Sequence, residues 1–191
     1  MKILKIILFA VAFVVIWNIV SRVRNKGSKP SSTKSDDGPK YTTYTIGADG
    51  GVIKRQSDIS PTAVQTFTSD DGKTSVRTTQ NGIQTHIKNL AFLAKYYGNP
   101  NMQQIAYISG LNGSWFKVDD ELFAAALKNA TEMEYFYADD FQSEYIFLTQ
   151  YAILAKAGDK ADSGIKAEIA TMGEKWGLEF KDIKEILSII G

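Results

Sequence analysis

Residues 3–20, ILKIILFAVAFVVIWNIV, hold only Lys5 and Asn18 as polar side chains, and no other stretch of the 191-residue chain constrains its folding as strongly. Eighteen residues of α-helix span roughly 27 Å, close to the roughly 30 Å of a bilayer's hydrocarbon core. Lys5 stands near one end, where its amine can reach the headgroups. Trp17 stands near the other, where an indole suits the interface. A cleaved signal peptide is the competing reading, since MKILK resembles a basic leader. Such a leader ends in a small-x-small cleavage site. This run ends instead in WNIVSRVRNK, with Arg22, Arg24 and Lys26. A buried core helix is the remaining reading, since it too would be apolar on every face, here with basic flanks at both ends; it fits less well than an anchor. The run therefore predicts a retained single-pass anchor over residues 1–22, contacting lipid through 3–20, with Ile6, Phe9, Phe13, Ile16, Trp17 and Val20 among its apolar residues. It places the protein at a membrane, the plasma or inner membrane if the source is bacterial. Lys2, Lys5 and the α-amine precede the run, and Arg22, Arg24, Lys26 and Lys29 follow it. The positive-inside rule leans toward a cytoplasmic C-terminal part, by one or two charges only.

Charge is distributed unevenly beyond this point. Residues 1–40 carry eight Lys/Arg against two Asp, residues 41–86 four of each sign, and residues 87–191 ten Lys against fifteen Asp/Glu. The acidic C-terminal part argues against nucleic acid, whose phosphate backbone needs a basic face. Cysteine is absent, which excludes disulfides, thiolate catalysis and Cys-based metal sites.

Residues 23–40 are Ser-, Lys-, Gly-, Pro- and Asp-rich, and Val23 is their only large apolar residue. Such a segment buries too little to offset its ordering entropy and reads as a flexible linker. Residues 41–86 read as a small β-rich hairpin or meander. YTTYTI, GVIKRQ, TAVQTF, TSVRTT and IQTH are short β-type runs, separated by ADGG, SDDGK and QNG, which signal tight turns. Residues 87–191 read as an acidic helical domain of about six helices, giving a mainly α, overall α+β chain. Phe141, Tyr145, Leu148, Ala152 and Ala155 step four, three, four, three, the period of a helix face. Ile165, Ile169, Met172 and Trp176 form a second stripe, and Ile183, Ile186, Leu187 and Ile190 a third. TEMEYFY, with Thr131 and Glu134 at capping-box spacing, reads as a further helical piece. Asp119 and Asp120 suit a helix start, and Asp139 or Asp140, and Asp162 or Ser163, suit helix caps.

The chemistry-bearing motifs are thin. YADD at 137–140 matches a paired-aspartate magnesium string, but it lies between helical stretches without a third partner. DKADSGIKAEIA has Asp159 and Gly164 at calcium-loop positions, yet Ala170 replaces the bidentate glutamate. GEKWGLEFKDIKEI has helix-turn-helix spacing, but its second helix lacks side chains that read base edges. The single histidine, His86, reads as a surface strand residue. Eight carboxylates, Asp119, Asp120, Glu121, Glu132, Glu134, Asp139, Asp140 and Glu144, fall within 26 residues.

Aromatic residues with a charged rim suit a protein interface. The leading expectation is therefore a membrane-tethered interaction module, not an enzyme. Its helical domain would bind a protein partner, one with a basic surface fitting best, through Glu132, Glu134, Tyr135, Tyr137, Asp139, Asp140, Trp115 and Phe116. One alternative is a hydrolase using a divalent metal held by the 119–144 carboxylates. Another is a structural, self-associating membrane component. No cofactor is implied, and the oligomeric state stays open.

Overall fold

A computed structural model describes residues 40–159 and 162–191. The anchor expected at 1–22, and the linker at 23–40 save for Lys40, lie outside the described residues. No helix among the described residues is long and apolar enough to cross a membrane.

Four strands open the described chain: β1 (Tyr41–Ile46), β2 (Val52–Ser57), β3 (Val64–Thr68) and β4 (Ser75–Thr79). β1 and β2 pair antiparallel, with Ile46 opposite Val52 and Tyr44 opposite Lys54. β3 and β4 do likewise, with Phe67 opposite Val76. Both turns sit where the Asp-Gly signals predict them. In the first, Gly47 N donates to Gly51 O at 2.7 Å, and Gly50 has φ +89°, a conformation that costs glycine little. In the second, the Ser69 hydroxyl and Lys73 N both donate to Asp71 Oδ1, at 2.6 and 3.1 Å.

The hairpins are two separate sheets, not one meander. The free edge of β4 is closed from elsewhere in the chain. Thr78 bridges Ala138, Asp139 N donates to Arg77 O at 2.9 Å, and Arg77 N donates to Ser143 Oγ at 2.8 Å.

Six α-helices follow: α1 (Gln80–Lys95), α2 (Met102–Leu111), α3 (Asp120–Lys128), α4 (Phe141–Ala157), α5 (Ser163–Trp176) and α6 (Phe180–Leu187). A π-helical turn, Asn112–Phe116, joins α2 to α3. With the two small antiparallel sheets this gives the α+β class, mostly helical, that the sequence predicts. Side-chain caps define the helix starts. Asp119, Asp140 and Asp162 accept from backbone N–H groups of α3, α4 and α5. Asn101 and Gln104 form a capping box at α2.

Most residues of the predicted stripes line the core, but Phe141 at the start of the first stripe is exposed and Tyr145 and Leu187 are only partly buried. Leu148, Ala152 and Ala155 of α4 are fully buried, as are Ile165 and Ile169 of α5; Met172 and Trp176 are nearly so. They meet Ile83, Ile87, Leu90 and Leu93 of α1, Ile183 and Ile186 of α6, and Val76 of β4.

Two local expectations are corrected. IQTH is not a strand: it lies inside α1, whose first turn is the QNG read as a hairpin signal. Thr79 Oγ1 caps that turn by accepting from Gly82 N at 2.9 Å. Ile83, Ile87 and Leu90 then share one helix face, and a four-residue run cannot distinguish period 2 from period 3.6. TEMEYFY is not a helix. Residues 130–138 run without helical structure, because their backbone is bonded by side chains from distant elements.

Candidate functional site

The non-helical segment between α3 and α4 is held at nearly every second residue. Asn89 of α1 grips Glu134 at both backbone groups: Asn89 Nδ2 donates to Glu134 O at 2.8 Å, and Glu134 N donates to Asn89 Oδ1 at 2.8 Å. Trp176 Nε1 of α5 donates to Phe136 O at 2.9 Å. The Thr78 hydroxyl of β4 donates to Tyr137 O. Gly82 lets α1 come this near: a Cβ there would overlap Thr78 Oγ1 and press on Phe136.

Beneath the segment lies a buried polar network. His86, Asn89 and Tyr151 are fully buried, and Gln150 nearly so. His86 Nδ1 is 2.9 Å from Tyr151 Oη, and His86 Nε2 is 2.6 Å from Gln150 Oε1. Gln150 Oε1 only accepts, so Nε2 carries the proton and Nδ1 accepts from the tyrosine hydroxyl. That hydroxyl oxygen in turn accepts from Asn89 Nδ2 at 3.1 Å. Phe116, Phe136 and Phe147 pack around the imidazole, at ring centroids of 5.4, 5.9 and 4.5 Å. Burial pushes the His86 pKa down to about 3, partly opposed by the bond to Gln150. Burial also raises the Tyr151 phenol. His86 is thus a neutral core residue on a helix, not the surface strand residue the sequence suggests. Its burial keeps it from a substrate.

The outer side of the segment is different. Side chains of an extended chain alternate between faces, so with Phe136 and Ala138 buried, Tyr135 and Tyr137 turn outward, each about half exposed. The Tyr137 hydroxyl donates to Asp139 Oδ1 at 2.9 Å, which raises its pKa. Asp139 also pairs with Arg77 at 2.6 Å, and Glu134 with Lys88. Asp140 caps α4 by accepting from Ser143 N at 2.7 Å. Burial and then the Asp140 charge raise the Glu144 carboxyl. Phe141 is exposed beside Tyr145, ring centroids 5.9 Å apart.

The expected partner-binding residues therefore divide. Glu132, Glu134, Tyr135, Tyr137, Asp139 and Asp140 share one short segment. Phe116 is a core ring under His86. Trp115 stacks on Phe116 at 5.2 Å and donates from Nε1 to Phe67 O at 2.9 Å, fixing β3.

The remaining carboxylates are dispersed. Asp119 and Glu121 lie 2.5 and 3.1 Å from the Arg55 guanidinium on β2. Among the described residues no three Asp, Glu or His side chains are grouped so as to hold a metal ion. The sequence reading missed the His86–Asn89–Tyr151 network and the clamp it supports. Its only local trace is that His86 and Asn89 fall on the apolar face of α1.

No family model, curated protein or solved structure matches the chain.

Proposed function

We propose that the protein is a membrane-tethered binding module whose partner docks on the clamped segment between α3 and α4. One observation carries the reading. Tyr135 and Tyr137 stand half exposed on a backbone already fixed by Asn89, Trp176 and Thr78. Aromatic side chains held this way supply contact area at little ordering cost. Glu132, Glu134, Asp139, Asp140 and Glu144 surround them, against Lys88 and Arg77 of opposite sign. That balance suits a partner with a basic surface, which the acidic rim would steer and orient. The tether would raise the local concentration of the module at the membrane.

The hydrolase alternative draws less support. Of its eight carboxylates, Asp119 and Asp140 cap helices, while Glu121, Glu134 and Asp139 pair with three different cations.

A photo-crosslinking residue at position 135 or 137 of the full chain in its native membrane tests the binding reading. One discrete adduct is expected. It should weaken as salt rises and be absent when the crosslinker replaces Met102 on α2. Absence of an adduct from both tyrosine positions contradicts the reading.

A further inference from the structure

The β1–β2 hairpin faces the wrong way for a hairpin stabilised by its own apolar residues. Thr43, Thr45, Ile53 and Arg55 turn inward, and of these only Ile53 is a hydrophobic residue, 6% exposed. Tyr44, Ile46 and Val52 turn outward and are 67%, 64% and 71% exposed. They are contiguous, since Ile46 pairs with Val52, and Tyr44 pairs with Lys54 one step along the same face. Single exposed hydrophobics need no explanation, but a sheet face with its large side chains reversed does.

The place of the hairpin in the chain says what covers it. β1 begins at Tyr41, at the end of the twenty residues that follow the apolar run of 3–20. Twenty residues reach at most roughly 70 Å even when fully extended, so on the anchor reading the hairpin is the described element tied most closely to the bilayer.

Its outward residues are Thr42, Tyr44, Ile46, Val52, Lys54 and Gln56, with one cation and no carboxylate. The domain's acidic excess lies elsewhere, in residues 87–191. A tyrosine, two aliphatics and a lysine suit the headgroup boundary, where the ring sits at the interface and the amine reaches anionic lipid.

A protein partner fits this face less well. Two six-residue strands present roughly 20 Å by 10 Å, about 200 Å², against about 800 Å² per partner in a stable complex.

We propose that the outward face of the β1–β2 hairpin, Tyr44, Ile46 and Val52 with Lys54, seats the folded domain on a lipid surface. The inference rests on the membrane-anchor reading and extends it: the chain holds the bilayer at two points, and the tyrosine segment is carried at a set orientation to it.

The absence of cysteine permits a clean test. The full chain is reconstituted in vesicles of three parts phosphatidylcholine to one part phosphatidylglycerol. A nitroxide is attached at one cysteine, introduced as Ile46→Cys, Val52→Cys, Thr66→Cys or Phe13→Cys. Collision with a water-soluble nickel chelate is then compared with collision with oxygen.

The inference expects positions 46 and 52 to be shielded from nickel several-fold relative to 66, and Tyr44→Asp to remove the shielding at 52. Shielding at 13 with 46 and 52 as open as 66 overturns the hairpin contact while leaving the anchor standing. An open position 13 overturns the anchor, and the inference with it. Spin–spin broadening at 46 and 52 without shielding places a second copy on the face and overturns lipid as its occupant.

Discussion

The two hairpins are nearly the same object in sequence and different objects in the fold. Each has two strands of five or six residues around an Asp-Gly turn, and three of the four strands carry threonine. The β3–β4 hairpin is built into the core. Val76 and Thr78 are fully buried, the β4 edge is closed by residues 138–139 and Ser143, and Trp115 bonds Phe67 O.

The β1–β2 hairpin rests along α3 on polar contacts. Arg55 reaches Asp119 and Glu121 at the start of that helix. Lys128 and Asn129 reach the carbonyls of Ala48 and Ile46 at its end. Ile53 is buried but stands outside the main apolar cluster. An isolated two-stranded hairpin is marginal in water, and exposed ion pairs add little. Strand propensity and turn chemistry thus make a hairpin, while packing against a helical core decides whether it shares the stability of the domain.

Substitutions can break this contrast, the largest effect first. Asn89→Ala strips both backbone bonds from Glu134 and one from Tyr151. Leaving such buried groups unpaired should cost about 3 kcal/mol in denaturant unfolding, and should loosen residues 134–139 together with β4. Val76→Ala should cost about 2 kcal/mol of global stability. Ile53→Ala should leave the global midpoint nearly in place and speed amide exchange only in β1 and β2.

Acid should act on the β3–β4 side. The His86 pKa is depressed in the fold to about 3, from about 6.5 in an unfolded chain. Above the unfolded value neither state binds the proton and the contribution is complete. As pH falls from about 6.5 toward 3, only the unfolded state binds it, and stability drops by about 1.4 kcal/mol per pH unit from this group. The imidazole resonances should remain those of a neutral ring at about pH 4. A His86→Asn variant should lose this part of the slope. The smallest effect is Arg55→Gln, about 0.2–1 kcal/mol, felt in the first hairpin and reduced by salt in the parent.

What was legible in the sequence was local. The four strands, both Asp-Gly turns and the caps at Asp119, Asp140 and Asp162 depend on neighbours within a few residues. The stripes of α4, α5 and α6 depend on period alone. What stayed hidden depends on partners far along the chain. TEMEYFY has a capping-box spacing, but Asn89, Trp176 and Thr78 lie 45, 40 and 59 residues from the backbone groups they hold. His86 finds Gln150 and Tyr151 at separations of 64 and 65. Nor does alternation in YTTYTI tell which face turns inward. A polar-inward hairpin becomes visible only when α3 is placed beside it. The candidate site was legible as a string of aromatics and carboxylates; its rigidity was not.

Amide hydrogen exchange resolved by residue tests the contrast most directly. The amides of Thr43, Thr45, Ile53 and Arg55 point across the first hairpin, and those of Gln65, Phe67, Val76 and Thr78 across the second. The first group should exchange by local opening, well below the free energy of global unfolding, while the second should exchange at or near it. Equal protection in both groups would show that the β1–β2 hairpin shares the cooperative core, and would contradict the division between the two hairpins.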